Sequence, residues 1–149
     1  MRKAKPNVLE LLKEDHEYVK KAFRAFEKMD HEDHEAVHNL VGQVCEALEV
    51  HAKVEEELFY PATRKAIKDE GLMNEAQVEH DSAKTLIRQL KRMNPEDPMY
   101  AATFTVLGEY VKHHVKEEET EMFPKARRRG MNLQRLGERL LARKIQLAA

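Results

Sequence analysis

Apolar residues recur every three or four positions along nearly the whole chain, the spacing that draws one stripe down a helix. The first stripe, Val8, Leu12, Val19, Phe23 and Phe26, predicts a helix from about Asn7, an N-cap after Pro6, to about Met29. The second, Val37, Val41, Val44, Leu48 and Leu58, predicts a helix that starts near Asp30 or Asp33 and continues past Pro61 to about Asp69. Gly71 reads as a break. A third helix is expected from near Asn74 to just before Pro95, with Ala76, Ala83, Ile87 and Leu90 on one face, and Asn94 to Pro98 forms a turn. The fourth spans about Pro98 to Arg129, with Phe104, Leu107, Val111 and Met122 inward, and Gly130 stops it. Asn132 caps a fifth that carries Leu133, Leu136, Leu140 and Ile145. Four long helices with short connections predict an all-α, up-down-up-down four-helix bundle, to which the fifth is an appendage. The expected layout is one domain over residues 1–149, with the bundle in 8–128 and a basic amphipathic C-terminal helix in 131–147.

Composition agrees with this class and removes others. Of 149 residues, 42% are hydrophobic, enough for one sizeable core, while 5 Gly, 5 Pro and 6% aromatics are too few for a sandwich or barrel. The single cysteine, Cys45, excludes a disulfide framework and a Cys-only zinc or iron–sulfur site. No apolar run approaches the ~18 residues of a membrane span. The basic start, Met1 to Pro6, is followed by no apolar signal segment, so the expectation is a cytoplasmic protein with no membrane partner. The net charge of −1 conceals an asymmetry. From Lys125 onward eight basic residues face one acid, Glu138, while the rest of the chain has 18 basic and 26 acidic residues. Such a tail can meet a protein partner or dock on its own acidic body. No aromatic side chains interleave its arginines, so nucleic acid is not the expected partner.

The chain also repeats itself. Asp15-His16 leads Val19, Phe23 and Phe26; Glu79-His80 leads Ala83, Ile87 and Leu90 at the same offsets. His51 and Glu55 precede Tyr60-Pro61, and His114 and Glu118 precede Phe123-Pro124, with ten residues from His to Pro both times. Two copies of a helix pair, offset by 63 or 64 residues, would pack about a pseudo-twofold axis.

Each bundle helix places one histidine, His16, His51, His80 or His114, inside its own apolar stripe. Glu55 and Glu118 follow His51 and His114 by four residues, so each pair shares a helix face. An unpaired ionised carboxylate in a core costs several kcal/mol. A divalent metal compensates directly, because neutral imidazole and carboxylate are its ligands. The twofold repetition points to two ions, each taking about two histidines, with Glu55 and Glu118 bridging and water, an oxo group or a substrate in the remaining positions. Mixed N/O ligation without thiolate suits iron, manganese or zinc.

With these motifs the sequence resembles the hemerythrin-like (HHE cation-binding) domains over roughly residues 8–128. The resemblance implies a four-helix bundle holding a non-haem di-iron site, two iron ions with a bridging oxo, hydroxo or water, that binds or reacts with O2, peroxide or related small oxidants. Members serve as carriers, sensors, peroxide-handling proteins and iron–sulfur repair proteins; the enzymatic form expected here is a weak oxidoreductase. Oxygen carriers have His-x-x-x-His on the third helix, whereas Lys84 and Ala76 flank His80 at four residues, which weighs against simple O2 carriage. The short N-terminal cysteine-bearing segment of the repair proteins is not found in this sequence.

Other residues read as less committed. His113 lies between Glu109 and Glu117 on a polar face; His31, His34 and His38 form a solvated face; Cys45, Tyr60 and Phe123 read as core. Glu56, Glu119 and Tyr110 flank the inward stripe, placed to supply a further ligand or a hydrogen bond to one. Two alternatives to the O2- or peroxide-reactive reading stand beside it: an iron-binding regulatory or storage module read by a partner through the basic tail, and a metal-free helical interaction domain.

Overall fold

The computed structural model describes residues 5–149; residues 1–4 of the basic start lie outside the described residues. Five helices follow one another. Helix α1 is Val8–Lys28, opened by a capping box in which the Asn7 side chain accepts from the Glu10 N–H and the Glu10 carboxylate reaches back to the Asn7 N–H. Helix α2 begins as His34–Val54, passes through a π-helical turn, Glu55–Phe59, and resumes as Tyr60–Ile67. Helix α3 is Glu70–Arg92. Helix α4 repeats the plan of α2: Pro98–Glu117, a π-helical turn at Glu118–Met122, then Phe123–Arg128. Helix α5 is Leu133–Ala148, capped by Asn132. The architecture is the expected helical bundle with a fifth helix.

The break after α2 is not where the sequence suggested. Lys68 takes the left-handed conformation (φ 53°) and ends α2, Asp69 caps α3 at once, and Gly71 lies inside the first turn of α3. Asp69 is the stronger signal because its carboxylate satisfies a helix N–H that would otherwise be orphaned. Gly130 (φ 68°) does stop α4.

The two prolines explain how α2 and α4 stay continuous. Pro61 has no N–H to give, and its ring would collide with the carbonyl four residues back in an α-helix. The π turn just before it widens the helix, closing instead with the Tyr60 N–H donating to the Glu55 carbonyl. Phe123 and Glu118 make the same bond ahead of Pro124.

Apolar side chains collect in two clusters. One gathers Val19, Phe23, Phe26, Val41, Leu107 and Phe104 at one end of the bundle; the other gathers Leu9, Leu12, Phe59, Met73 and Phe123, joined by Leu136 and Leu140 of α5. The side chains of His16, His51, His80, Glu55 and Glu118 are the buried polar groups at mid-bundle, with Thr63. Helix α5 lies close against α1: a Cβ at Gly137 would meet the Val8 nitrogen at 2.9 Å. Its seam is closed by ion pairs from Lys144 to Asp15 and from Arg143 to Glu57, so part of the basic tail docks on the chain's own acidic body.

Candidate metal centre

The structure brings all six of the singled-out side chains together. They form two groups that share both carboxylates: His16, His51, Glu55 and Glu118 in one, and His80, His114, Glu55 and Glu118 in the other. In each group one donor atom per residue lies within 4.8 Å of every other. The paired rings stand edge to face with centroids 4.9 Å apart in both halves, so the two repeats present their histidines alike.

Every imidazole is fixed from behind. The Nδ1 atoms of His16, His51, His80 and His114 donate to Glu119 (2.6 Å), Asp15 (2.9 Å), Glu56 (2.9 Å) and Glu79 (2.7 Å) respectively. A carboxylate on Nδ1 sets the tautomer, leaving each Nε2 lone pair aimed at the centre. There His16 Nε2 lies 3.2 Å from Glu118 Oε1, His51 Nε2 3.2 Å and His80 Nε2 3.0 Å from Glu55 Oε1, and His114 Nε2 3.1 Å from Glu118 Oε2. Two donors at ~2.1 Å from one ion stand about 3 Å apart, so the spacing fits shared ligation.

The donor set also suits a cation. His16 Nε2, His51 Nε2, Glu55 Oε2 and Glu118 Oε1 are buried and make no hydrogen bond, although carboxylate oxygens lie within contact distance of both rings. Acceptors facing acceptors are unfavourable unless positive charge lies between them. Burial pushes the His51 pKa down, but the Glu55 charge and the Asp15 hydrogen bond override it and hold it up at about 10. Burial and the Glu118 charge act on His114 in the same opposed way, and it stands well above the usual histidine range. Burial likewise raises the Glu118 carboxyl, yet His114 and His16 hold it well below the usual carboxylate range. The residues present therefore fit a divalent metal held by neutral imidazoles and ionised carboxylates.

Tyr60, read from sequence as core, is part of the site. Its hydroxyl donates to Glu118 Oε2 (2.6 Å) and also lies 3.3 Å from Glu55 Oε1 and 3.0 Å from the Nε2 atoms of both His80 and His114. One phenolic proton cannot serve four acceptors. Burial and the Glu118 and Glu55 charges hold the phenol well above its ordinary pKa. Phe123, the equivalent residue in the other repeat, stacks on His16 at 6.1 Å and offers no polar atom. The signal was the position just before the repeated proline, where one copy carries a tyrosine and the other a phenylalanine.

The remaining histidines stay out of the centre. His31 donates to the Phe26 carbonyl, His34 and His38 approach the Pro95 carbonyl and the Tyr100 hydroxyl, and His113 is 72% exposed beside Glu79 and Glu117. Glu56 and Glu119 serve as hydrogen-bond acceptors, as allowed for. Asp15 and Glu79 do the same and were not singled out, although the Asp-His and Glu-His dipeptides marked the repeat. Tyr110 is half exposed and lines a cavity of about 50 Å³ that lies against the four histidines, with Val19, Leu48, Ile87, Val111 and Lys84 among its walls.

A helical bundle that buries convergent imidazoles and carboxylates at mid-height is the architecture of carboxylate-bridged metal proteins. The family model described as Hemerythrin HHE cation binding domain matches residues 7–126, and the chain belongs to that family. It is similar in structure to a hemerythrin HHE cation-binding domain-containing protein from Mycobacterium kansasii, with a TM-score of 0.81 and 27% identity, over 96% of this chain and 88% of that one. It is also 29% identical over 117 residues to a protein of Nostoc sp. named DNA nickase. That match takes in 78% of this chain but 32% of the Nostoc protein, so the chain spans about a third of that relative's length. Among the described residues no helix is long and apolar enough to cross a membrane.

Proposed function

We propose that His16, His51, His80, His114, Glu55 and Glu118 hold two metal ions as a non-haem di-iron centre, and that the chain binds or reacts with O2 or peroxide there. The reading rests on one observation above the others: four buried donor atoms, His16 Nε2, His51 Nε2, Glu55 Oε2 and Glu118 Oε1, converge with no hydrogen-bond partner. Family membership and the fit of mixed N/O donors to iron support it. Iron bound there would supply redox chemistry toward a small oxidant.

The chain's own groups have definite tasks in this reading. Glu119, Asp15, Glu56 and Glu79 orient the four rings. Glu55 and Glu118, each between two histidines of different halves, would neutralise the charge of ions held there. The Tyr60 hydroxyl holds a proton 2.6 Å from Glu118 Oε2, where it can be given to or taken from that carboxylate. The cavity, at about 50 Å³, has room for a ligand of only a few atoms, and its aliphatic walls disfavour water. This size favours O2 or peroxide over any organic substrate.

Metal analysis of the purified chain, with absorption spectra before and after O2 or peroxide, tests the proposal. Two irons per chain and a near-ultraviolet to visible change on oxidation are expected. A chain that retains no metal after expression in iron-rich medium would overturn it and leave the metal-free interaction domain.

A further inference from the structure

The four carboxylates behind the histidines are equivalent in the repeat, yet their own supports differ. Glu56 is held by Lys84 (2.6 Å), a residue of the same helix as His80. Glu79 has His113 at 3.4 Å, on the helix that carries His114. Among the described residues Glu119 pairs with His16 alone. Asp15 is held by Lys144, which comes from α5, outside the four bundle helices. Asp15 spans the two partners: Oδ1 accepts from the lysine and Oδ2 from His51 Nδ1.

On this basis, and resting on the metal-centre reading above, we propose that Lys144 is a positioning residue for the His16/His51 half of the centre, acting through Asp15 on His51. A carboxylate that orients a ligating imidazole does so only as well as it is itself held. Lys144 fixes one Asp15 oxygen and so aims the other at the ring. Among the described residues nothing equivalent reaches the His80/His114 half from α5. The geometry that carries Lys144 to Asp15 is set along α5: Leu136 and Leu140 are buried, and Gly137 allows contact with the backbone of Pro6 to Val8. The fifth helix is then a support for one of two ions.

The test loads the full chain with zinc and follows its transfer to a colorimetric chelator. In the wild type two ions leave. Lys144→Gln is expected to speed the loss of one ion by roughly 10–100-fold, the range seen when a residue supporting a ligand is removed, while the other keeps its wild-type rate. The imidazole Nδ1–H proton signal of His51 in the zinc-loaded chain should broaden or vanish, those of His80 and His114 should stay, and Lys144→Arg should restore both readouts. Arg143→Gln, one residue away in the same helix and on Glu57 instead, should leave both rates unchanged. A merely structural role predicts a lower melting temperature of the metal-free chain and faster loss of both ions alike. That result, or unchanged loss of both, overturns the inference and leaves the metal centre standing. A wild-type chain that takes up neither zinc nor iron defeats the reading of the site, and the inference falls with it.

Discussion

The His16/His51 half and the His80/His114 half of the centre have matching donors, the same ring-to-ring distance and a carboxylate behind each imidazole. At the donor atoms themselves they differ by one oxygen. Beside His80 stands Tyr60, whose hydroxyl touches four donor atoms; beside His16 stands Phe123, and the polar atoms around it are left without partners. The repeat reproduces the six central side chains, and a single hydroxyl then separates the half whose imidazoles meet it from the half whose imidazoles keep unpartnered Nε2 atoms.

The largest expected effect removes the comparison altogether. Glu55 and Glu118 each lie between a histidine of either half, so Glu55→Ala and Glu118→Ala should each strip both ions, to well below one metal per chain by elemental analysis. A variant that kept two ions while its counterpart kept none would show that the halves are not bridged alike.

Next in size is the response to pH, where the two halves act together. In the metal-free chain the neighbouring carboxylates keep His51 protonated to about pH 10. Its folded pKa is above the unfolded value of ~6.5, so its contribution to stability is complete below that value and disappears as pH rises through about 10. His80 and His114 are raised as well and act in the same direction. Thermal melts of the metal-free chain should therefore fall between pH 7 and pH 10.5, by an amount on the order of a few kcal/mol. Metal occupancy should move the other way, because ligation needs neutral rings and protons compete toward and below pH ~6.5. A metal-free melting temperature that climbed with pH across that window would remove the ion pairs from the account.

Tyr60→Phe removes the hydroxyl that separates the halves at the donor atoms. It leaves buried Glu118 Oε2 without its 2.6 Å donor, so the metal-free chain should lose about 1–3 kcal/mol in denaturant unfolding. In the metal-loaded chain the two ions should become harder to distinguish by their release rates. The smallest effect comes from the converse change. Phe123→Tyr adds an oxygen to a fully buried ring that sits farther from its histidine than Tyr60 does from His80, 6.1 Å against 4.9 Å. A change of up to about 1.5 kcal/mol with two metals retained is expected; loss of one metal would mean the first half cannot accept the phenol its twin contains.

The helices were legible because spacing, caps and stripes agree: Asn7, Asp33, Asp97 and Asn132 all cap as polar side chains before apolar periods should. Gly71 misled because glycine is a weak stop when an aspartate two residues earlier already starts the next helix. The six central side chains stood out because each interrupts an apolar stripe of its own helix. Their carboxylate partners were half legible: Glu56 and Glu119 flank the stripe and read as able to hydrogen-bond a ligand, whereas Asp15 and Glu79, one residue off the stripe and serving a histidine of a different helix, do not register in one-helix periodicity. The π turns were hidden for a related reason: an added backbone residue changes the phase after Glu55 and Glu118, and Pro61 and Pro124 announce a disturbance without saying of which kind.

Those two turns occupy the same place in both repeats, 63 residues apart, each beginning on the shared carboxylate. Tyr60 and Phe123 follow these turns at the same offset, so the wide turn also fixes where the hydroxyl of one repeat and the bare ring of the other stand relative to the shared carboxylates.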